Sequence, residues 1–292
     1  MPRYAILDTF SDFAAVWDDL HDRPIQAQVE LWMRRFGSRW PELRRMYTTS
    51  HAEDGEDWTE VLQTRVFPQL PTLLPAMRNA SAVLPCIVQD VCRKAERLRL
   101  LEFDVQVIVM GPCGYAGWGT VYGGRRACLL GLDTIADLGW TEPHTLFGLV
   151  AHELGHLVHI EWRQRAGLND GEGPFWRLYQ EGFAQHCEHL IAGATSWHMQ
   201  ATTGGWLEWC DDHLPFLARE FLAAVANDDP TRRFFGSLPD NVIDGYRQTG
   251  YYLGCEVIRR LYDHLSVREA ALLASHDVNE LVIQVLTELK RD

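Results

Sequence analysis

The apolar stretch at residues 149–158 constrains this chain most, because it carries two histidines and a glutamate among aliphatic residues. On a helix, side chains four residues apart lie one above the other on the same face, so the rings of His152 and His156 can reach one ion. Glu153 follows the first histidine directly. This H-E-x-x-H spacing predicts a zinc site on a helix, with a carboxylate beside it.

Composition and charge narrow the class of protein. Of the 292 residues, 47% are hydrophobic, which is enough for a sizeable core in one large domain or two packed lobes. A formal net charge of -13 disfavours nucleic-acid binding, which needs clustered lysine and arginine. No apolar run is long enough to cross a membrane, and no secretory signal is visible. The seven scattered cysteines form no C-x-x-C pair, which indicates reduced thiols. We therefore expect a cytoplasmic protein that binds neither nucleic acid nor membrane.

The hydrophobic pattern predicts the fold class. Helical periodicity dominates residues 1–102 and 206–292, whereas the period changes to two over residues 103–110, which are rich in β-branched residues. Glycines then recur between aromatic residues, which predicts turns between antiparallel strands. We expect a mainly helical α+β protein with a helical N-terminal region (1–102), a core with a small mixed or antiparallel sheet and the motif helix (103–205), and a helical C-terminal lobe (206–292). One compact unit that contains all three is the alternative.

The ends of the motif helix carry recognisable signals. Thr141 is placed to cap its start, Pro143 falls in the first turn, and Gly167 marks its end. Gly148 and Gly155 lie seven residues apart on one face, which would allow a close approach to another element. A further helix is predicted over residues 175–191.

A catalytic zinc ion needs a third protein ligand besides two histidines and a water molecule. Trp162 stands where the extended pattern H-E-x-x-H-x-x-G-x-x-H would place a histidine, so that pattern is excluded. Glu181 is the best candidate, because a return helix would bring it to the metal. Asp170, in a glycine-rich loop, and His186 compete with it.

Two other polar residues are candidates to support the ligands. Gln185 lies one turn after Glu181 and is placed to hydrogen-bond a ligand. His159 could serve the same purpose, although a partly exposed helix histidine is the simpler interpretation.

With these residues the sequence resembles the gluzincin metallopeptidases, in which a glutamate on the following helix completes the H-E-x-x-H motif. Residues 181–184, Glu-Gly-Phe-Ala, are similar to the third-ligand segment of membrane-alanyl-type aminopeptidases, and the overall layout resembles predicted zinc-dependent proteases of bacteria. The resemblance implies a zincin-like catalytic lobe and one Zn²⁺ per chain, held by His152, His156 and Glu181, with Glu153 as the catalytic carboxylate. Gln180 replaces the asparagine of the aminopeptidases, and their Gly-x-Met-Glu-Asn element is missing. Recognition of a free substrate amine is therefore not implied.

The predicted reaction is hydrolysis of a peptide bond in a peptide or protein substrate. Glu153 would take a proton from the attacking water and pass it to the leaving amine, while zinc polarises the carbonyl. Tyr251, between two glycines, is the first choice as donor to the oxyanion, with Tyr252 and Tyr246 as alternatives. The alternative function is a gluzincin-fold peptide-binding or chaperone-like protein with little or no catalysis. The sequence predicts no oligomeric state.

Overall fold

The computed structural model describes residues 3–199, 204–236, 240–262 and 264–291. Helices make up most of these residues, and four strands form one mixed sheet, as expected for a mainly helical α+β protein. The chain divides into two compact units, Met1–Val150 and Ala151–Asp292, and the boundary falls within a helix.

The first unit contains the sheet. Its strands lie in the order β1-β2-β4-β3, with β1, β2 and β4 parallel and β3 antiparallel to β4. The elements of this unit are β1 (Tyr4–Asp8), α1 (Phe10–Leu20), α2 (Ile25–Arg39), α3 (Pro41–Glu53), α4 (Trp58–Val61), α5 (Leu70–Arg97), β2 (Val105–Met110), β3 (Gly117–Tyr122), β4 (Arg125–Gly131), α6 (Leu132–Asp137) and the start of α7 (Pro143–Arg165).

Strand β1 lies within the region that the sequence predicts to be helical. Its five residues are too few to show a period of two, and its position in the sheet comes from parallel pairing with β2, about a hundred residues later in the chain. All but one of the residues of β2 are buried, as expected for a strand between two parallel neighbours.

The glycine-rich segment forms the hairpin that the sequence predicts. Gly123 and Gly124 have φ angles of +55° and +74°, and they connect Tyr122 of β3 to Arg125 of β4. Two consecutive residues with positive φ define the turn that suits a two-residue hairpin, and glycine adopts this conformation without steric cost.

Helix α7 has the predicted ends. It begins at Pro143, and Gly167 follows its last turn with a φ of +70°. The amide of Leu168 donates a hydrogen bond back to the carbonyl of Arg163, which closes the helix end.

In the described part of the second unit, helices are the main elements and no strand of the sheet occurs. This unit contains the rest of α7, α8 (Pro174–Ala192), α9 (Trp206–Asp212), α10 (Leu214–Ala226), α11 (Thr249–Tyr262), α12 (Val267–Ala271) and α13 (Ser275–Leu289). Helices α8 and α11 touch backbone to backbone at two glycines. A Cβ atom on Gly182 would lie 2.1 Å from the carbonyl oxygen of Gly254, and one on Gly254 would lie 2.5 Å from that of Leu178.

A buried arginine holds the segments that flank α8 and α12. The side chain of Arg163 donates to the carbonyl oxygens of Asn169, Ala271 and Leu273 and to the carboxylate of Asp170. The side chain of Arg163 is 1% exposed, so these four acceptors replace the water that its charge would otherwise need.

All seven cysteines are free, and only Cys86 is exposed. The other six are buried, and burial raises the pKa of the thiols of Cys92, Cys187, Cys210 and Cys255 above the usual range. Within the described ranges, no helix combines the length and apolar character that crossing a membrane requires.

Candidate metal centre

Helix α7 presents His152 and His156 one turn apart. Their ring centroids are 4.9 Å apart and the ring planes are inclined by 77°. His152 is buried, with 2% of its surface exposed, and His156 is half-buried. The aliphatic residues around them are buried, so the helix carries these imidazoles inside the unit rather than on a solvated face.

Glu181 of α8 meets both histidines. Its Oε2 atom lies 3.4 Å from Nε2 of His152 and 3.2 Å from Nε2 of His156. Gly155 makes this approach possible, because a Cβ atom there would lie 2.8 Å from Cβ of Cys187 and 2.9 Å from Cα of Ala184. The two helices therefore pack without an intervening side chain at the level of the site.

The distances from Glu181 to the two histidines fit a tetrahedral zinc ion. Ligand bonds of about 2.0–2.1 Å place two ligand atoms of a tetrahedral site about 3.3 Å apart. The two distances to Glu181, 3.4 and 3.2 Å, match this value. Two imidazoles and one carboxylate are also a donor set that catalytic zinc uses.

The charges at the centre favour a cation. Burial opposes a charge on His152, but contacts with Glu181 and Glu188 outweigh it and raise the pKa of the imidazole to about 10. Burial also opposes ionisation of Glu181, yet His156 and His152 hold the pKa of this carboxyl well below its usual range. The site thus stabilises positive charge where the ligand atoms converge, which is the condition that a metal ion meets.

Glu153 lies beside the ligands in the same buried environment. Only 7% of its surface is exposed. Burial raises the pKa of its carboxyl, and the neighbouring His156 and His152 oppose this rise. A carboxyl with a raised pKa is a stronger base than an ordinary one, so Glu153 is suited to accept a proton.

Behind His152 lies a second buried carboxylate, Glu188. Its Oε2 atom is 3.6 Å from Nδ1 of His152 and 2.7 Å from Nδ1 of His198. Its Oε1 atom accepts hydrogen bonds from the hydroxyl of Ser196 and the amide of His198. These contacts fix the carboxylate on the side of the His152 ring that faces away from Glu181.

His152, Glu188 and His198 form a second group that could hold a metal ion. However, the distance of 2.7 Å between Glu188 and His198 is typical of a charge-assisted hydrogen bond. Two ligands of one tetrahedral zinc ion would lie about 3.3 Å apart. We therefore interpret this group as the support of His152, with Nδ1 turned to Glu188 and Nε2 free for the metal.

Tyr251 of α11 lies next to the centre. Its ring is 5.6 Å from that of His152, and its hydroxyl has no hydrogen-bond partner among the described residues. The two alternative tyrosines are engaged elsewhere: Tyr252 donates to Asp211, and Tyr246 stacks on Trp209 at 4.3 Å.

Neither competing third ligand belongs to a group of converging ligand atoms among the described residues. Asp170 accepts a hydrogen bond from Arg163, and the ring of His186 lies 4.1 Å from that of Tyr262. Gln185 donates to the carbonyl of Ser196, so it supports the turn next to Glu188 rather than a ligand directly.

The expectation that His159 is partly exposed is wrong. Only 1% of its surface is exposed, and its ring packs against those of Trp176, Tyr179 and Phe183. Burial holds the pKa of its imidazole well below the usual range. Helical periodicity did not predict this, because the covering rings all come from α8.

Glu188 and His198 are the residues that the sequence analysis missed. Glu188 lies seven residues after Glu181, and two helical turns place both on one face, so its position was a usable signal. His198 lies beyond Gly193, and no sequence pattern indicates the direction in which the chain turns after that glycine.

The chain matches no protein-family model, no curated protein and no solved structure. The geometry of the centre is therefore the basis for its proposed chemistry.

Proposed function

We propose that this protein is a zinc-dependent metallopeptidase of the gluzincin type. The observation that carries the proposal is the convergence of ligand atoms from His152, His156 and Glu181, with the buried carboxylate of Glu153 adjacent. A helix with two ligands followed by a helix with the third is the gluzincin order. We therefore assign a zincin-like catalytic lobe to the region around α7 and α8.

The metal ion and Glu153 have different roles in the proposed reaction. A zinc ion held by these residues supplies Lewis acidity, which polarises a substrate carbonyl and activates water at neutral pH. Glu153 accepts the proton of the attacking water and delivers it to the nitrogen of the leaving amine. Its buried position suits both steps, because burial raises the pKa of its carboxyl toward neutrality.

Two further residues prepare the site for the reaction. Tyr251 donates its free hydroxyl to the negative charge that develops on the carbonyl oxygen. The carboxylate of Glu188 faces Nδ1 of His152 at 3.6 Å and attracts the proton on that nitrogen, which keeps the Nε2 lone pair of the ring directed to the metal. Because Glu188 is itself held by Ser196 and His198, the orientation of the ring is set before any ligand binds.

The substrate in this proposal is a peptide or protein. A protein of this kind with a structural metal ion would bind peptides without cleaving them, which is the alternative function.

Replacement of Glu153 by glutamine tests the proposal. Zinc-loaded wild-type protein should cleave members of a diverse library of internally quenched peptides. Glu153→Gln should retain about one zinc ion per chain and lose about 10²–10⁴-fold in rate, because the amide keeps the shape of the side chain but cannot accept the proton. Glu161→Gln, two turns further along α7, is the matched control and should keep the wild-type rate.

Zinc content and cleavage rate together distinguish a peptidase from a peptide-binding protein. Cleavage by Glu153→Gln at the wild-type rate, with zinc bound, would show that the mechanism is wrong. Failure of the zinc-loaded wild-type protein to cleave any library member would favour the peptide-binding alternative.

A further inference from the structure

Arg177 lies close to the metal centre but is not part of it. It is four residues before Glu181 on α8, which places both side chains on one face of the helix. The side chain is exposed, and its guanidinium carbon lies 4.7 Å from the ring centroid of Phe235. This stacking gives the guanidinium a defined position at the surface next to a metal ligand.

Phe235 connects this guanidinium to the centre. Its ring lies edge-on to Tyr251, with centroids 5.8 Å apart, and the ring of Tyr251 lies 5.6 Å from His152. Gly250 allows the contact, because a Cβ atom there would lie 2.6 Å from the Phe235 ring. The charge of Arg177 also acts on Tyr251: it opposes the rise in the pKa of the hydroxyl that burial and Glu181 cause.

Arg177 forms no ion pair with any carboxylate that the structure describes. Its charge is therefore available to a ligand, unlike the charges of Arg65 and Arg259, which pair with glutamates. Stacking covers only the face of a guanidinium. Its N–H groups point outward in the plane, in the fork geometry that binds a carboxylate through two parallel hydrogen bonds.

We infer that Arg177 binds a carboxylate of the peptide that occupies the metal centre. The carboxylate is either the C-terminal group of the substrate or the side chain of an aspartate or glutamate in it. The inference rests on the proposed function only in that the metal centre receives a peptide. It names the substrate class as peptides that present a negative charge near the metal.

Binding of three probes to the zinc-loaded protein tests the inference without requiring turnover. Each probe is a short peptide with a metal-binding hydroxamate at one end. They differ at the other end, which is alanine with a free carboxylate, alanine carboxamide, or glutamate carboxamide. Calorimetric titration should show about fivefold tighter binding of at least one carboxylate probe than of alanine carboxamide, as expected for one partly exposed ion pair. The preference should shrink in 1 M salt.

Arg177→Gln should abolish this preference and leave the affinity for alanine carboxamide within about twofold of wild type. Arg177→Lys should retain part of the preference, because it keeps the charge but not the planar fork. Arg219→Gln is the matched control, since Arg219 is also exposed and lies over a phenylalanine ring, that of Phe216. It should keep the full preference.

The outcomes are distinguishable. Preference for the free carboxylate alone identifies the C-terminus, and preference for the glutamate probe identifies an acidic side chain. No preference in wild type, a preference that survives Arg177→Gln, or failure of every probe to bind zinc-loaded protein would overturn the inference. If the probes bind with the expected preference but the protein cleaves no peptide, the role of Arg177 is supported and only the proposed hydrolysis is refuted.

Discussion

Glu188 accepts a hydrogen bond of 2.7 Å from Nδ1 of His198, and the same carboxylate oxygen faces Nδ1 of His152 at 3.6 Å. This carboxylate has no exposure to solvent. It therefore depends on its imidazole, hydroxyl and amide partners for stabilisation, and its position in turn fixes the ring of His152, the first of the proposed metal ligands.

Glu188→Gln should bind zinc about 10–100-fold more weakly than wild type, because the neutral amide loses the attraction of the carboxylate for the proton on Nδ1 of His152. Competition with a chromophoric chelator measures the change. Glu280→Gln, an exposed glutamate of α13, is the control and should bind zinc as wild type does. Unchanged affinity in Glu188→Gln would contradict the role of this carboxylate. A stoichiometry of two zinc ions per wild-type chain would show instead that Glu188 is itself a ligand.

Glu181→Gln should lose most bound zinc after dialysis, because the third ligand loses its charge. Asp170→Asn should keep zinc. It should lower the free energy of unfolding by about 1 kcal/mol, since Asp170 is half-exposed and Arg163 keeps its three carbonyl acceptors. Elemental analysis and denaturant unfolding measure the two effects. If Asp170→Asn lost zinc and Glu181→Gln retained it, Asp170 rather than Glu181 would be the third ligand.

Gly254→Ala should destabilise the protein by about 2 kcal/mol, because the new Cβ atom would lie 2.5 Å from a backbone oxygen of α8. Denaturant unfolding measures the change. Gly204→Ala is the control, since nothing lies within 4 Å of a Cβ atom there and its φ is not in the left-handed region. Equal stability of the two variants would mean that α8 and α11 can separate at little cost.

His159 should make the protein less stable as pH falls below about 6.5. The folded protein keeps this buried imidazole neutral because its pKa is well below the usual range, whereas the unfolded chain takes up a proton. Falling pH therefore favours the unfolded state by up to about 1.4 kcal/mol per pH unit. His159→Phe should remove this contribution. The test is the difference in unfolding free energy between the two proteins at pH 6.5 and 5.5, with zinc in excess. Parallel pH profiles would show that His159 does not remain neutral in the folded protein.

The parts of the fold that were predicted from sequence are those with local signals. Pro143 and Gly167 bound α7 because proline and glycine fix the conformation at helix ends, and two consecutive glycines fix the hairpin between β3 and β4. The pairing of β1 with β2 was not predictable in this way, because it joins segments that are distant in sequence. The burial of His159 was not predicted either, because the rings that cover it belong to another helix, α8.

The candidate site also combines features that local sequence signals predict with features that depend on packing. The spacing of His152 and His156 follows from helix geometry alone. The approach of Glu181 depends on two helices that meet at Gly155, which the sequence suggested through that glycine but could not orient. The contact of His198 with Glu188 depends on the path of the chain after Gly193, and that path is set by packing rather than by a local motif.

Cys86 is exposed and the other six cysteines are buried, so the number of thiols that react depends on whether the chain is folded. A maleimide reagent should modify the folded chain at one position and the unfolded chain at seven. The mass added per chain thus reports the folded fraction directly. A single dye on α5 can be introduced without removing any native cysteine.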